Sequence, residues 1–283
     1  MVTILALLAA GLYGTADFLG GAASRRANAI ALLEVNTPVG VLIMVVVALL
    51  AGGPAPDGVA VAWGAVGGAA GGAGLIVFYA ALAAGPMSVV APVSALAGTL
   101  LPVGIALAGG EHPGLPVLAG SALCLAAIAL VSIEPNGSRV ASSRTTRGLL
   151  TGLASGVLFG LFFVCIRNAG HGGGLWPLVA SRGSGMAVAF AAAAWTRTRP
   201  VWWGRDRPAF WMALASGSFD VTANVCYLLA TQRGMFSLAV VLTALYPAVT
   251  VLLARTVLGE RMRPVQQAGL VLAAAGIALV TAA

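Results

Sequence analysis

Residues Gly110-Glu111 and Gly259-Glu260 each sit between two long apolar runs, and those runs repeat with them. Laying one Gly-Glu pair on the other also lays Ala119-Gly120 on Ala268-Gly269, and the IALV of 128–131 on the IALV of 277–280. Further back, Gly85, Ser88, Ala95 and Leu96 fall on Gly234, Ser237, Ala244 and Leu245. Chance Ala and Leu matches are common in so apolar a chain, but a Gly-Glu pair between two apolar runs is harder to obtain by chance. The chain contains itself twice.

Ten stretches reach or approach the roughly 20 apolar residues that a helix needs to cross a bilayer. They run Thr3 to Ala22, Ala29 to Leu50, Val61 to Ala84, Met87 to Leu107, Leu115 to Ile133, Leu149 to Ile166, Leu175 to Ala194, Phe210 to Ala230, Phe236 to Leu258 and Val265 to Thr281. With 60% hydrophobic and 8% charged residues, the chain is a membrane protein, since soluble domains carry about a quarter charged residues. All six Trp fall at or just beyond span ends, where indole rings prefer the interface. The net charge of +7 comes from Arg, since the chain has no Lys, and almost all the Arg lie between spans. It reads as loop charge facing anionic lipid and excludes a nucleic-acid partner, which needs clustered Arg among exposed aromatics. Cys124, Cys165 and Cys226 each sit alone in an apolar run and read as packing residues. The first span lacks a basic n-region and carries Asp17, so it reads as a retained helix rather than a cleaved signal.

Connections are short except around residues 136–147, a polar linker between a first repeat (1–135) and a second (148–283). Five spans per repeat is odd, so the second enters the membrane from the opposite face. The expected fold is therefore all-α, ten transmembrane helices as two inverted five-helix repeats, a plan that many secondary transporters share. Gly64, Gly68 and Gly72 recur every fourth residue in the third span, as do Gly152, Gly156 and Gly160 in the sixth, and read as faces for close helix contact. A phosphate-cradling loop would need a preceding strand.

The five-plus-five plan, the aromatic-Gly steps Tyr13-Gly14 and Phe159-Gly160 in the first and sixth spans, and the Gly-Glu pairs resemble the EamA-type branch of the drug/metabolite transporter superfamily. The likeness covers nearly the whole chain. It implies a central cavity between the halves, peripheral fifth and tenth helices, and export or exchange of small metabolites.

Four ionisable residues lie well inside the spans: Asp17, Glu34, Arg182 and Asp220. Each costs roughly 2.5–3.5 kcal/mol at the centre of a lone helix, so each must face protein, water or another charge. Let side A be the face of Met1 and side B the other. At 1.5 Å per residue, Asp17 and Glu34 share a level about 8–10 Å below side B, while Arg182 and Asp220 lie within about one turn of each other in depth. If Asp17 and Glu34 approach across a cavity, repulsion and desolvation make them a candidate proton-coupling pair. Arg182 with Asp220 is a candidate site for the carboxylate and amine of a zwitterion, or else a structural ion pair. Ser216, Asp220, Asn224, Tyr227 and Thr231 form one polar helix face, of which Asp220, Asn224 and Tyr227 are candidate substrate contacts. Tyr13, on one face with Asp17, joins Tyr79 and Tyr246 as candidate aromatic surface. Glu111 and Glu260 are expected to cap the helices directly after them, the fifth and tenth.

Twelve Arg outside the deep spans fall on side B, and two, Arg167 and Arg233, on side A. The positive-inside rule then puts side B in the cytoplasm and the termini outside, whereas the resemblance implies termini inside. The expected function is a multi-pass secondary transporter of the cell membrane, monomeric or homodimeric. It moves a small polar solute, an amino acid or related zwitterion, by alternating access, with a proton as the expected coupling ion. No cofactor or metal is expected. Two other classes stay open. In a non-transporting membrane subunit the deep charges would satisfy one another. A membrane-embedded enzyme would have to work without a triad or metal cluster, since the only histidines, His112 and His171, sit in loops.

Overall fold

The computed structural model describes residues 1–52, 57–84, 87–131, 143–170, 174–199, 206–258 and 264–281. Most of these are helical, with no strand among them. Eleven helices are described: α1 (Val2–Ser24), α2 (Ala29–Ala51), α3 (Gly58–Ala84), α4 (Met87–Ala108), α5 (Leu115–Val131), α6 (Ser143–Asn168), α7 (Trp176–Thr196), α8 (Arg207–Thr231), α9 (Phe236–Thr243), α10 (Tyr246–Leu258) and α11 (Pro264–Thr281). Five of them, α1, α2, α3, α6 and α7, contain stretches long and apolar enough to cross a membrane, and shorter apolar helices accompany them. Large apolar side chains such as Ile4, Leu42, Leu50, Val66 and Trp195 point outward. A hydrocarbon surround satisfies that arrangement, because there the backbone must bond within each helix and apolar side chains can face out.

Two boundaries differ from the sequence expectation. Helix α6 begins at Ser143, so the last residues assigned to the linker are helical; 132–142 lie outside the described residues. The ninth span is two helices rather than one. Pro247 has no N–H to continue the ladder, and the chain turns through three-residue bonds from Leu245 N to the Leu242 carbonyl (3.3 Å) and Ala248 N to the Leu245 carbonyl (3.0 Å). Tyr246 sits at that break.

Helices of the first half pack mainly on helices of the second: α1 on α8, α9 and α10, α2 on α7 and α8, α3 on α6 and α7, α4 on α6, and α5 on α11. Glycine makes the closest of these contacts. Along one face of α3, a Cβ on Gly64 would meet the Pro177 backbone, one on Gly68 the Ser181 backbone, and one on Gly72 the Gly185 Cα at 2.9 Å. The partners on α7 step by four residues as the glycines do, so two backbones lie along each other for two turns. A second face of α3, Gly67, Gly71 and Gly74, receives Cys165, Phe162 and Phe159 of α6. Gly156 and Gly160 of α6 then receive α4. The packing role read from the spacing holds at these positions.

The ends of the bundle are tied across the halves. At side A, both oxygens of Glu111 accept backbone hydrogens of α9, from Phe236 N at 2.7 Å and Ser237 N at 3.1 Å. Glu111 thus caps a helix of the other half and not α5, the helix its sequence position suggests. A carboxylate serves whichever orphan N–H groups it can reach, and the α4–α5 loop lies over the start of α9. Glu260 lies outside the described residues. At side B, Arg26 stands 3.8 Å from Asp206 in a largely exposed pair, a kind worth about 0–1 kcal/mol.

Replacing Gly68 with Val is expected to destroy the α3–α7 contact and sharply lower the yield of monodisperse protein in size-exclusion chromatography. Gly11→Ala, with nothing within 4 Å of its Cβ, is expected to be tolerated or to stabilise by about 0.5–1 kcal/mol. Glu111→Ala is expected to cost about 1–3 kcal/mol, read as a lower midpoint of thermal unfolding in detergent.

Candidate functional site

A cavity with about 940 Å³ of atom-free space, mouth included, lies between the halves and is lined by helices of both. Its first-half wall carries Tyr13 and Asp17 of α1, Leu33 and Thr37 of α2, a glycine strip of α3 (Gly68, Gly71, Gly72), and Ser94, Gly98 and Thr99 of α4. Its second-half wall carries Phe159, Phe162 and Phe163 of α6, Ser181, Arg182 and Gly185 of α7, Asp220 and Asn224 of α8, and Tyr246 at the α9–α10 break. An apolar layer lies on its side A flank. Met44, Ile166, Leu178, Tyr227, Phe236 and Val240 form one buried cluster against which Tyr13, Phe162 and Phe163 pack.

Arg182 and Asp220 meet as the depth argument expects. Arg182 Nη1 donates to the Asp220 carboxylate, and Nη2 reaches the Asp220 main-chain carbonyl at 3.4 Å. On its way the arginine stem passes Gly40 of α2, where an added Cβ would stand 3.5 Å from Arg182 Cδ, an ordinary contact distance. Asn224 Nδ2 donates to the same Asp220 carbonyl at 2.8 Å, one turn away on α8, while its Oδ1 is buried without a partner. The hydroxyl of Tyr13 is likewise buried and unpartnered, with its ring 6.4 Å from those of Phe163 and Tyr246.

The structure divides the remaining candidates. Asp17 faces the cavity, and no hydrogen bond or ion pair engages it among the described residues. Glu34 does not line it: Leu33 and Thr37 do, and a helix turns about 100° per residue, so Glu34 points to the next face. It is 6% exposed, with Oε2 unpartnered. The approach of Asp17 and Glu34 across a cavity is therefore not observed; equal depth does not imply a shared face. Tyr79 and Tyr227 also lie off the cavity lining. Tyr79 is buried among Phe78, Ala81 and Ala189, with its hydroxyl against Gly20 and Ser216. Tyr227 is fully buried in the side A layer, 4.7 Å from the Phe163 ring. Ser216 ties helices instead, donating to the Ala16 carbonyl at 2.9 Å and accepting from Asn36 Nδ2 at 3.3 Å. Thr231 donates back to Leu228 at 2.8 Å. The polar face of α8 is therefore half cavity and half seam.

Sequence reasoning misses Phe162, Phe163, Ser94 and Thr99. The aromatic-Gly step at Phe159 points to the first two, since Phe162 and Phe163 come one turn later. Nothing in the sequence separates Ser94 or Thr99 from other small polar residues. Among the described residues no cluster of His, Cys, Asp or Glu could hold a metal ion.

A crystal structure shares this fold, with a TM-score of 0.77 at 19% sequence identity, covering 99% of this chain and 96% of that one. No curated protein matches the chain. Residues 146–282 match the model of the EamA-like transporter family. That match spans just under half of the chain, and the EamA-like family, part of the drug/metabolite transporter superfamily, is one of membrane transporters, in keeping with the all-helical bundle and its outward apolar faces.

Proposed function

We propose that the chain is a ten-span secondary transporter of the cell membrane, built as two inverted five-helix repeats, that moves a small polar metabolite through the central cavity by alternating access. In this reading α9 and α10 together make one crossing. The observation that carries it is a cavity between the halves, lined well inside the helices by charged and polar groups from both. Charges are kept in such places for solute or ion pathways. The helix contacts support the repeat: exchanging each helix with its counterpart turns the α1–α8 contact into α6–α3, α3–α7 into α8–α2, and α4–α6 into α9–α1, all of them observed. Two halves in near-equivalent packings supply the two accessible states that alternating access needs.

The solute class proposed is an amino acid or a related zwitterion with an amine, held near Arg182, Asp220 and Asn224 with Tyr13 and Tyr246 as aromatic surface. Asp17 is proposed as the proton-coupling group, because an unpaired carboxylate in such a cavity must be neutralised by a proton or a cation. Glu34, off the cavity, is left out of that role.

Counterflow of a labelled amino-acid panel in proteoliposomes is the direct test. The native chain is expected to take up one class, and Asp220→Asn to lose it. Breaking a buried ion pair costs about 3–5 kcal/mol, so Arg182→Gln/Asp220→Asn serves as a second variant, expected to recover folded yield but not flux. Absence of counterflow with every solute of the panel would count against the amino-acid class. For coupling, the residual flux of Asp17→Asn at saturating solute is expected to be independent of pH, while Glu34→Gln keeps the native profile. A native profile in Asp17→Asn would remove Asp17 from proton coupling.

A further inference from the structure

The rotation of α1 about its own axis decides whether Asp17 faces the cavity, and two hydroxyls of the second half grip α1 at the turn that carries it. Thr250 of α10 places Oγ1 3.1 Å from the Gly14 carbonyl and 3.1 Å from the Tyr246 carbonyl of its own helix, sharing its hydrogen between them. Ser216 of α8, fully buried, donates to the Ala16 carbonyl at 2.9 Å. Both α1 carbonyls already accept the N–H four residues on, so each hydroxyl bond is additional to the helix ladder. The approach on the α10 side is close: a Cβ on Gly14 would stand 2.5 Å from the Tyr246 carbonyl oxygen.

A helix turns about 100° per residue, so Gly14 and Ala16 stand about 200° apart round α1 in one direction and about 160° in the other. Tyr13 and Asp17, the two α1 residues that line the cavity, both fall on the shorter arc, Tyr13 about 60° from Ala16 and Asp17 about 60° from Gly14. The two hydroxyls therefore bracket the cavity face, and turning α1 either way stretches one of them. The repeat supplies an internal comparison. Laying Tyr13-Gly14 on Phe159-Gly160 lays Ala16 on Phe162 and Asp17 on Phe163, while the Gly-Glu register lays Ser216 on Gly67 and Thr250 on Leu101. The corresponding neighbours do meet: a Cβ on Gly67 would lie 3.4 Å from the Phe162 carbonyl oxygen, and one on Gly160 would lie 3.2 Å from Leu101 Cβ. Both contacts are thus made on α6 without a hydroxyl. They carry one on α1, the helix with a carboxylate to aim.

We propose that Thr250 and Ser216 are positioning residues for Asp17: their hydroxyls, seated on the Gly14 and Ala16 carbonyls, fix the rotation of α1 that turns Asp17 into the cavity. Neither touches the solute, and both act through the α1 main chain. The proposal deepens the transporter reading and rests on it only for the effect on flux; the rotation itself is a property of the fold.

Thiol labelling reads that rotation directly, because only a thiol reached by water forms the reactive thiolate. In a chain with Cys124, Cys165 and Cys226 changed to alanine, Asp17→Cys and Phe18→Cys report two faces of α1 about 100° apart. With a small water-soluble methanethiosulfonate and purified protein in detergent, Asp17→Cys is expected to react faster than Phe18→Cys. Adding Thr250→Val is expected to lower the ratio of the two rates about threefold or more, the population ratio that corresponds to the roughly 0.6 kcal/mol of an average interhelical hydrogen bond in a membrane. Thr250→Ser is expected to keep the native ratio. Ser216→Ala is expected to act in the same direction as Thr250→Val and takes its place where that protein is not monodisperse; it is the coarser change, since Asn36 Nδ2 also bonds Ser216. An unchanged ratio in both variants would overturn the proposal. So would an equal rise in rate at both positions, the mark of general loosening, or Thr250→Ser behaving as Thr250→Val does. With Asp17 intact, Thr250→Val is expected to move the pH midpoint of counterflow and Thr250→Ser to leave it in place. A lowered thiol ratio together with native counterflow that ignores pH would leave the positioning standing and remove Asp17 from proton coupling instead.

Discussion

An arginine and an aspartate placed in the middle of a membrane bundle have to find each other, and the positions of α2, α7 and α8 reflect their doing so. Alone in hydrocarbon each charge costs several kcal/mol. Together, with the Asp220 carbonyl as a second acceptor, they form a compact neutral unit. The arginine stem lies in van der Waals contact with α2 at Gly40. The neutrality of the unit then decides the chemistry of the cavity. The one cation lining the cavity is spent, and Asp17 is left to be balanced from outside the protein.

Helix packing in lipid cannot draw on the hydrophobic effect, so it depends on how closely backbones approach. The α3 glycines allow that approach on two faces at once, toward α7 and toward α6. The same strip forms part of the cavity wall between the two contacts. One residue type therefore serves both cohesion and space. Adding a side chain at Gly68 would push α7 off and carry Arg182 with it, whereas one at Gly71 would press on Phe162 at the cavity margin. Stability and site geometry are coupled through this helix.

Length and hydropathy made the membrane spans legible, because a bilayer sets the run length directly. Depth along a helix was legible for the same reason, and it brought Arg182 and Asp220 together correctly. Rotation was not. Depth says nothing about azimuth, and so Glu34 was paired with Asp17 although α2 turns it to another face. Spacing along α8 correctly put Ser216, Asp220, Asn224, Tyr227 and Thr231 on related faces, but it could not say which neighbour covers each. Tyr227 and Ser216 went to seams and Asp220 and Asn224 to the cavity. The α9–α10 break did carry a signal, Pro247 inside an apolar run. Glu111 carried none, because its partner helix is remote in sequence and belongs to the other half.

The repeat in the sequence does not extend to the cavity chemistry. Aligning Tyr13-Gly14 with Phe159-Gly160 puts Asp17 opposite Phe163. The Gly-Glu register puts Asp220 opposite Gly71 and Pro247 opposite Gly98. Both cavity aspartates thus have an apolar or empty counterpart in the other repeat, and the only break among these counterparts lies in the second half, since α4 is continuous where α9 and α10 part. A solute symmetric end to end would leave half of such a site unused. One with unlike ends can fill it in a single orientation. Divergence between the two halves of the sequence thus leaves the facing walls of the cavity chemically unlike.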